Sequence, residues 1–310
     1  MKLADEVVAG DVRAIARSLS LVERGGADAE ELLAALAGRS RRSCTLGVTG
    51  APGVGKSTLV QALGLALRRE GSHVAVLAVD PSSPFSGGAL LGDRIRMAAL
   101  ATEGAFVRSM ATRGALGGLT AATADALDVL QAAPFEWILV ETVGVGQDEI
   151  DVAGEVDTVC VVTVPGLGDD VQAVKAGLYE VADLFVVNKA DTGMADEVAA
   201  VLEAMLEAAP AGPWRVPVLR ASARDGDGIG RLLEVVREHQ TFLGRDERRA
   251  GLRHQRAVRR LERVVGAMAW AGVQARGGEV LDRVAGQLAR GEVDVYRGAR
   301  LLLDGERREG

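Results

Sequence analysis

The stretch that decides the fold is VTGAPGVGKSTL, residues Val48–Leu59. It fits the spacing Gly-x-x-x-x-Gly-Lys-Ser/Thr of a phosphate-binding loop, whose glycines let backbone N–H groups turn toward phosphate oxygens. The preceding run CTLGVTG predicts a short buried strand, and the leucine spacing in KSTLVQALGLALRREG predicts a helix after the loop. The positive end of that helix dipole would then point at the phosphates. The stretch therefore predicts a nucleotide site.

The residues of this loop have distinct expected roles. Lys56 would reach the β- and γ-phosphates, and the Ser57 hydroxyl would bind Mg²⁺. The loop alone does not choose between ATP and GTP. The nucleotide-binding residues predicted here are Gly50, Ala51, Pro52, Gly53, Val54, Gly55, Lys56, Ser57 and Thr58.

Two later motifs indicate guanine. FVVNKAD places Asn188, Lys189 and Asp191 at a predicted strand end, where a carboxylate can accept hydrogen bonds from guanine N1–H and its exocyclic amine. Adenine has no such donors on that edge, so a buried aspartate would stay unpaired, at a cost of roughly 1–3 kcal/mol. In LRASARDGDGI, Ser222 and Ala223 follow another strand, where the loop backbone can contact guanine O6. The order of these motifs predicts a guanine nucleotide.

The magnesium side is predicted in WILVETVGVGQDE. An apolar strand brings Glu141 to the end of the sheet, where a carboxylate can hold Mg²⁺ directly or through water. The N–H of Gly144 could contact the γ-phosphate. Gln147 is either a water-orienting residue or an ordinary polar loop residue.

A long Ser/Gly/Pro segment, VLAVDPSSPFSGGALLGDRIRM, is typical of a switch that responds to γ-phosphate and Mg²⁺. Asp80 and Asp93 are candidates for the metal environment or for positioning water, and Asp93 could instead cap a helix. Arg108 and Arg113, in RSMATRGALGGL, could pair with phosphate or form surface ion pairs. We predict Lys56, Asp80, Asp93 and Glu141 as catalytic groups, and Ser57, Asp80 and Glu141 as metal ligands.

Composition excludes several classes of protein. The chain has 310 residues, 48% of them hydrophobic, and a formal net charge of -7, which argues against a nucleic-acid binder. Its two cysteines, Cys44 and Cys160, lie in or beside predicted strands and are expected to be reduced core residues. The acidic beginning does not fit a secretory signal, and no apolar run approaches the ~18 residues of a membrane span. We expect a cytoplasmic protein that binds neither nucleic acid nor membrane.

The pattern along the chain predicts an α/β fold, with a mostly parallel central sheet flanked by N- and C-terminal helical extensions. The expected domains are a helical extension over residues 1–42, the phosphate-loop domain over 43–240, and a helical region over 241–310. The first helix should bury a stripe of Val8, Val12, Ile15, Leu19 and Val22, and the last region carries a stripe of Val258, Leu261, Val265 and Met268. Seven strands are predicted, at TLGVTG, HVAVLAVD, AFVRSM, EWILVET, TVCVVTV, LFVVNKAD and VPVLRAS.

Taken together, these segments resemble a known family, the methylmalonyl-CoA mutase-associated GTPases of the MeaB/MMAA/ArgK type. The similarity runs in chain order through TGAPGVGKST, AVDPSSPFSGGALLGDRIRM, VRSMATRGALGGL, VETVGVGQDE, VPGLGDDVQAVKAG and NKAD. The helical ends LADEVVAGDVRAIARSLSLVE and LRHQRAV are similar too. Most small GTPases have Asp-x-x-Gly where this chain has Glu141, but glutamate is the family's own form.

The family resemblance implies a cellular function, which the spacing of the motifs alone does not indicate. It implies a GTP-hydrolysing chaperone that gates cobalamin delivery to an adenosylcobalamin-dependent acyl-CoA mutase, and protects that enzyme. The cobalamin is expected on the partner, and the C-terminal helices are expected to form a homodimer. Lys175 matches the lysine of a further mobile switch, and Asp80, Asp93 and Glu141 match acids near the magnesium.

Three other functions are compatible with a phosphate loop. A metallochaperone GTPase shares the architecture but usually carries Cys/His metal motifs, which the sequence lacks. A transport-associated kinase normally uses ATP, which NKAD disfavours. A nucleotide-binding module with negligible turnover also stays open, because no activating arginine is identified. The sequence does not distinguish methylmalonyl, isobutyryl and ethylmalonyl mutases as partners.

Overall fold

The fold is known from a computed structural model, which describes residues 2–80, 97–111, 118–142, 154–165, 180–210, 212–245 and 247–304. Its contacts divide the chain into two compact units, Met1–Arg256 and Ala257–Gly310. The boundaries expected at 42/43 and 240/241 stay predictions. In the described part of the chain, helices of sufficient length lack the apolar character needed to cross a membrane.

The elements of the first unit alternate as the sequence predicts. Its strands are β1 Cys44–Thr49, β2 Val74–Asp80, β3 Phe106–Ala111, β4 Trp137–Thr142, β5 Thr158–Thr163, β6 Leu184–Val187 and β7 Val218–Arg220. Its helices are α1 Lys2–Val8, α2 Val12–Arg24, α3 Ala27–Leu36, α4 Lys56–Arg69, α5 Ala98–Thr102, α6 Gly118–Ala132, α7 Ala195–Ala208 and α8 Ile229–Leu243. Each strand coincides with one of the seven predicted apolar runs.

The seven strands form one parallel sheet in the order β3-β2-β4-β1-β5-β6-β7. Alternate residues of each strand enter two different apolar layers, as the strand period of two requires. In β4, Ile138 and Val140 pack on the layer that contains α1–α3, α6 and α7, whereas Leu139 packs on the layer with α4 and α8. Helices therefore cover both faces, which explains why the strands are apolar almost throughout.

The N-terminal helices pack on the first of these layers. Ile15, Leu19 and Val22 of α2 are fully buried there, as the stripe predicts. Val12 departs from the prediction, with 62% of its surface exposed, because α2 begins at this residue. Asp11 caps the helix by accepting a hydrogen bond from the N–H of Ala14 at 2.7 Å. Because α1 ends at Val8 and α2 begins only at Val12, the predicted stripe does not continue from one helix into the other, and Val12 is left outside the buried face.

The last helices of the chain are α9 Arg248–Ala275, α10 Gly278–Ala289 and α11 Val295–Asp304. In the second unit, α10 and α11 pack closely where Gly298 faces Val284, since a Cβ on this glycine would lie 3.2 Å from a Val284 methyl. The predicted stripe of α9 is exposed: the exposed fractions of Leu261, Val265 and Met268 are 64%, 61% and 59%. A helix that leaves such a stripe uncovered carries surface suited to a partner.

A buried polar cluster lies where β5 and β6 begin. His239 of α8 is 2% exposed, and its Nε2 lies 3.3 Å from Asp183 Oδ1 while its Nδ1 lies 3.0 Å from the Thr158 hydroxyl. Burial raises the pKa of Asp183 to about 7 and lowers the pKa of His239 to about 4. The folded pair therefore holds one proton between these two pH values.

The two thiols differ in position. Cys160, in the middle of β5, is fully buried, and Cys44, at the start of β1, is half-buried. Both are free, and burial raises the pKa of each thiol. Thiols of raised pKa are poor nucleophiles and poor metal ligands, which agrees with the expected role of both as core residues.

Candidate functional site

The candidate site lies at the carboxyl edge of the sheet. The central strand β1 is flanked by β4 and β5. The chain continues from β1 to β2 on the β4 side of the sheet, and it later crosses from β4 to β5 on the other side of β1. In parallel sheets, the crevice at such a point of reversal is where ligands bind. The loop after β1 is the predicted phosphate loop, and α4 begins at Lys56 directly behind it.

Two glycines of the loop cannot be replaced without a clash. Gly50 has φ +142°, and a Cβ there would lie 2.2 Å from the backbone carbonyl oxygen of Val162 in β5. Gly55 has φ +92°, and a Cβ there would lie 2.5 Å from Asn188 Nδ2. The glycines of the motif thus permit both the backbone conformation and the close approach of neighbouring segments.

Lys56 is folded over its own loop. The residue is 7% exposed, and its ammonium group donates to the carbonyl of Gly50 and, at 3.2 Å, to that of Ala51. A buried ammonium group is stable only with such acceptors. Its position beside the loop that would cradle the phosphates fits the predicted role toward the β- and γ-phosphates.

The predicted magnesium ligands Ser57 and Glu141 are brought together. The Ser57 hydroxyl donates to Glu141 Oε1 at 2.5 Å, and Glu141, the last residue but one of β4, is 2% exposed. A carboxylate and a hydroxyl at the phosphate loop are the hard oxygen ligands that Mg²⁺ accepts. The pair therefore fits the ion, which would neutralise phosphate charge when bound.

The other residues predicted near the metal and the phosphates lie partly or wholly outside the described residues. The backbone of Asp80 ends β2 at the same edge of the sheet, paired with Ala111 of β3, whereas its side chain lies outside the described part. Five predicted residues also lie outside the described residues: Asp93, Arg113, Gly144, Gln147 and Lys175.

The guanidinium group of Arg108 contacts the N-terminal helix α2 and not the residues of the phosphate loop. Its guanidinium group donates to Glu23 Oε2 at 2.8 Å and to the Ser20 hydroxyl at 3.1 Å. Both acceptors belong to α2, so Arg108 forms an ion pair with the N-terminal helices. The sequence left open a phosphate contact or a surface ion pair; the structure has an ion pair, but a largely buried one, with side-chain exposures of 26% for Arg108 and 11% for Glu23.

Asn188 links the phosphate loop to the loop that carries Ala223. It is 2% exposed, and its Nδ2 donates to the Val54 carbonyl of the phosphate loop at 2.8 Å. The N–H of Ala223 donates to Asn188 Oδ1 at 3.1 Å. Next to it, Lys189 adopts φ +57° and donates from Nζ to the Gly53 carbonyl at 2.9 Å. The guanine motif thus contacts the phosphate loop directly.

Asp191 and Ser222 meet across the gap between the two base-recognition loops. The Ser222 hydroxyl lies 3.0 Å from Asp191 Oδ1 and 2.6 Å from Asp225 Oδ2. One hydroxyl proton serves only one of these acceptors at a time. The sequence prediction missed Asp225, although its place three residues after Ser222, in a turn, is a signal for such a contact.

These residues line a cavity of about 360 Å³. Its walls include the predicted residues Gly55, Thr58, Asn188, Lys189, Asp191, Ser222 and Ala223. Thr192 and Arg224 line it as well and were not predicted, although each is adjacent to a predicted residue. The size suits a nucleobase with part of its ribose, and the acceptors on Asp191 suit the donor edge of guanine.

Comparison with known proteins agrees with this geometry. Residues 15–276 match the family described as methylmalonyl Co-A mutase-associated GTPase MeaB. The chain belongs to this family of GTPases. It is therefore a MeaB-family enzyme that hydrolyses GTP, as the order of its motifs predicts, and its fold is that of a phosphate-loop GTPase.

Individual relatives support the same assignment. A putative GTPase of Pyrococcus horikoshii is 42% identical over 308 residues, which cover 98% of this chain and 97% of the relative. GTPase ArgK of Escherichia coli is 40% identical over 260 residues, covering 80% and 78% respectively. Among solved structures, a protein named LAO/AO transport system kinase is similar with a TM-score of 0.74 and 28% identity, over 98% of this chain and 96% of that one.

Proposed function

We propose that this MeaB-family GTPase acts as a GTP-dependent chaperone of an adenosylcobalamin-dependent acyl-CoA mutase. In this proposal, GTP hydrolysis times the delivery of cobalamin to the mutase and protects it from inactivation. The observation that carries the proposal is the match of residues 15–276 to a family whose description names methylmalonyl-CoA mutase. The cobalamin belongs to the partner, and the chaperone works as a cytoplasmic homodimer.

In the proposed mechanism the described residues hold and read the nucleotide. Backbone N–H groups of the phosphate loop and Lys56 would bind the phosphates. Ser57 and Glu141 would hold Mg²⁺ together with Asp80, whose side chain lies outside the described part. Asp191 accepts hydrogen bonds from the guanine edge. Asn188 keeps the base-reading loops against the phosphate loop through its contacts with Val54 and Ala223.

Nucleotide specificity tests the site itself. GDP should bind at least tenfold more tightly than ADP, a difference of about 1.4 kcal/mol or more, because adenine offers Asp191 no donors. Asp191→Asn should weaken GDP binding and favour xanthosine diphosphate, whose purine edge presents an acceptor. Calorimetric titration giving equal affinities for GDP and ADP would contradict the guanine assignment.

Stimulation by the partner tests the chaperone role. Hydrolysis of Mg·GTP should be slow for the protein alone and should accelerate when methylmalonyl-CoA mutase or a related cobalamin mutase is added. Lys175, which we assign to the switch that senses the partner, should be required for this acceleration. Lys175→Ala should keep GDP affinity within about threefold, under 1 kcal/mol, and lose the stimulation.

The matched control is Lys2→Ala, which removes a lysine 92% exposed in α1 and should keep the stimulation. The decisive value is the ratio of hydrolysis rates with and without mutase. If no cobalamin mutase changes the rate of the unmodified protein, the chaperone role is wrong. If Lys175→Ala keeps the normal ratio, the coupling runs through other residues.

A further inference from the structure

A second cavity, of about 340 Å³, lies at the amino edge of the sheet, where β1 and β4 begin. The nucleotide residues gather at the carboxyl ends of the same strands, so this cavity is separate from the guanine site. Cys44 and Trp137 form part of its wall. The other residues that line it are Arg42, Ser43, Glu136, Arg237, Gln240, Thr241 and Arg249. We call it the arginine cavity.

The three arginines of this cavity differ in how their charge is balanced. Arg237 pairs with Glu70 and lies over the ring of Trp137, with its guanidinium carbon 5.8 Å from the ring centre. Arg42 is exposed, and its guanidinium group makes no hydrogen bond or ion pair within the described parts of the chain. The cavity therefore holds at least one cation without a counter-charge among the described residues.

Arg249 is held in place by a chain of hydrogen bonds. Its Nη2 donates to Gln240 Oε1 at 2.5 Å, and Gln240 Nε2 donates to the Thr158 hydroxyl at 2.8 Å. The same hydroxyl lies 3.0 Å from His239 Nδ1. These neutral partners fix the side chain of Arg249 without neutralising it.

The Nε–H of Arg249 is a second sign of an incomplete site. This atom is buried and has no acceptor within the residues that the structure describes. A buried donor without an acceptor is unfavourable, so the hydrogen-bonding capacity of the Arg249 guanidinium group is not fully used by the described residues. Among the described residues of the cavity wall, Glu136 alone carries a carboxylate, and this group already accepts from the backbone N–H of His73 at 2.8 Å.

We propose that the arginine cavity binds an oxyanion, a phosphate or carboxylate group, of a ligand distinct from the GTPase nucleotide. Planar guanidinium groups donate in pairs to the oxygens of these two groups, and Arg42 and Arg249 present such donors on one cavity. The volume lies in the range of small-ligand sites. The group belongs either to a phosphate-bearing small molecule or to an acidic side chain of a protein partner.

The test uses the full chain saturated with Mg²⁺ and a non-hydrolysable GTP analogue, so that the phosphate loop is occupied. Inorganic phosphate and a hexaglutamate peptide are titrated separately by calorimetry, against sodium chloride at matched ionic strength. We expect saturable binding of at least one probe. Arg42→Ala should weaken it at least tenfold, about 1.4 kcal/mol, and Arg249→Lys should weaken it as well because a lysine lacks the planar fork.

Arg231→Ala is the matched control, because Arg231 lies on α8 outside the cavity and pairs with Glu234 and Glu238. It should bind the probe within twofold of the unmodified protein. Binding of phosphate alone identifies a small-molecule source, and binding of the peptide alone identifies a protein source. Failure of both probes, or equal affinities in Arg42→Ala and Arg231→Ala, would overturn the proposal. Because Arg42 is exposed and its guanidinium group makes no hydrogen bond or ion pair with a described residue, Arg42→Ala should fold normally.

Discussion

Asn188 should contribute about 2 kcal/mol or more to the assembled nucleotide site. Its side chain makes two buried hydrogen bonds, one to the Val54 carbonyl and one from the Ala223 N–H. Asn188→Ala leaves both partners without their bond, and a buried polar group left unsatisfied costs about 1–3 kcal/mol. Water from the adjoining cavity of about 360 Å³ can hydrate part of the exposed groups, which favours the lower end of that range for each.

The loss of about 2 kcal/mol should appear in the free energy of unfolding, in the free energy of GDP binding, or divided between the two. If the loops keep their positions, urea unfolding should show the full decrease of about 2 kcal/mol. If the loops relax instead, GDP should bind about thirtyfold more weakly in calorimetric titration, since each 1.4 kcal/mol is a factor of ten. Thr192→Ala is the control. Thr192 lines the same cavity, but its hydroxyl donates locally, to the Lys189 carbonyl three residues before it, at 2.7 Å.

Asn188→Asp separates the two contacts. An aspartate oxygen can still accept from the Ala223 N–H, but its second oxygen would face the Val54 carbonyl, where a donor is needed. We expect a loss at least as large as that of the alanine variant. The reasoning fails if Asn188→Ala changes both unfolding free energy and GDP binding by less than about 0.5 kcal/mol, a magnitude usual for uninvolved surface sites.

Three further outcomes are expected. Gly50→Ala should abolish folding or GDP binding, because its Cβ would lie 2.2 Å from a backbone oxygen. Gly53→Ala is the control and should retain both, because Gly53 has φ +79° but no described atom within 4 Å of the added Cβ. Circular dichroism and GDP titration measure the two properties. Unfolding free energy should be nearly independent of pH between about 4 and 6.5 for the unmodified buried pair, because the raised pKa of Asp183 and the lowered pKa of its histidine partner have opposite effects. In Asp183→Asn only His239 of the pair still titrates, and it binds fewer protons in the folded than in the unfolded state. The free energy of unfolding should therefore rise over this window by up to about 1.4 kcal/mol per pH unit. Urea titrations that give the same pH profile as the unmodified protein would contradict this. Leu261→Glu should shift the mass measured by light scattering at micromolar concentration from dimer to monomer, while Val12→Glu, at an equally exposed valine, should not; equal masses for both variants would exclude this face as the interface.

The strands and the order of the nucleotide motifs could be predicted from sequence because both are local signals. Apolar runs of strand length identify all seven strands, and the spacing of the phosphate loop is contained in eight residues, Gly50–Ser57. The contact of Glu141 with Ser57 was also within reach, since Glu141 lies near the end of β4 and the phosphate loop follows the adjacent strand β1. Local patterns of this kind need no knowledge of which distant segments meet.

Contacts between distant segments were the part that the sequence did not reveal. Asn188 and Val54 are 134 residues apart, and Arg108 is 85 residues from Glu23, so neither pair follows from periodicity. The exposed position of Val12 has a local cause, the cap at Asp11, which a search for helical stripes overlooks. The arginine cavity likewise gathers residues from the ends of separate elements.

The central place of β1 has a consequence for how the chain folds during synthesis. This strand pairs only with β4 and β5, although it is made first, and its register begins with Cys44 opposite Trp137. Roughly ninety residues must leave the ribosome before its first partner exists, which takes about 5–20 s at the usual rate of 5–20 residues per second. During that interval an apolar strand has both edges open, the condition under which nascent chains aggregate or recruit general folding factors. Substitutions that slow translation before β4 should therefore lower the soluble yield without altering the stability of the folded protein.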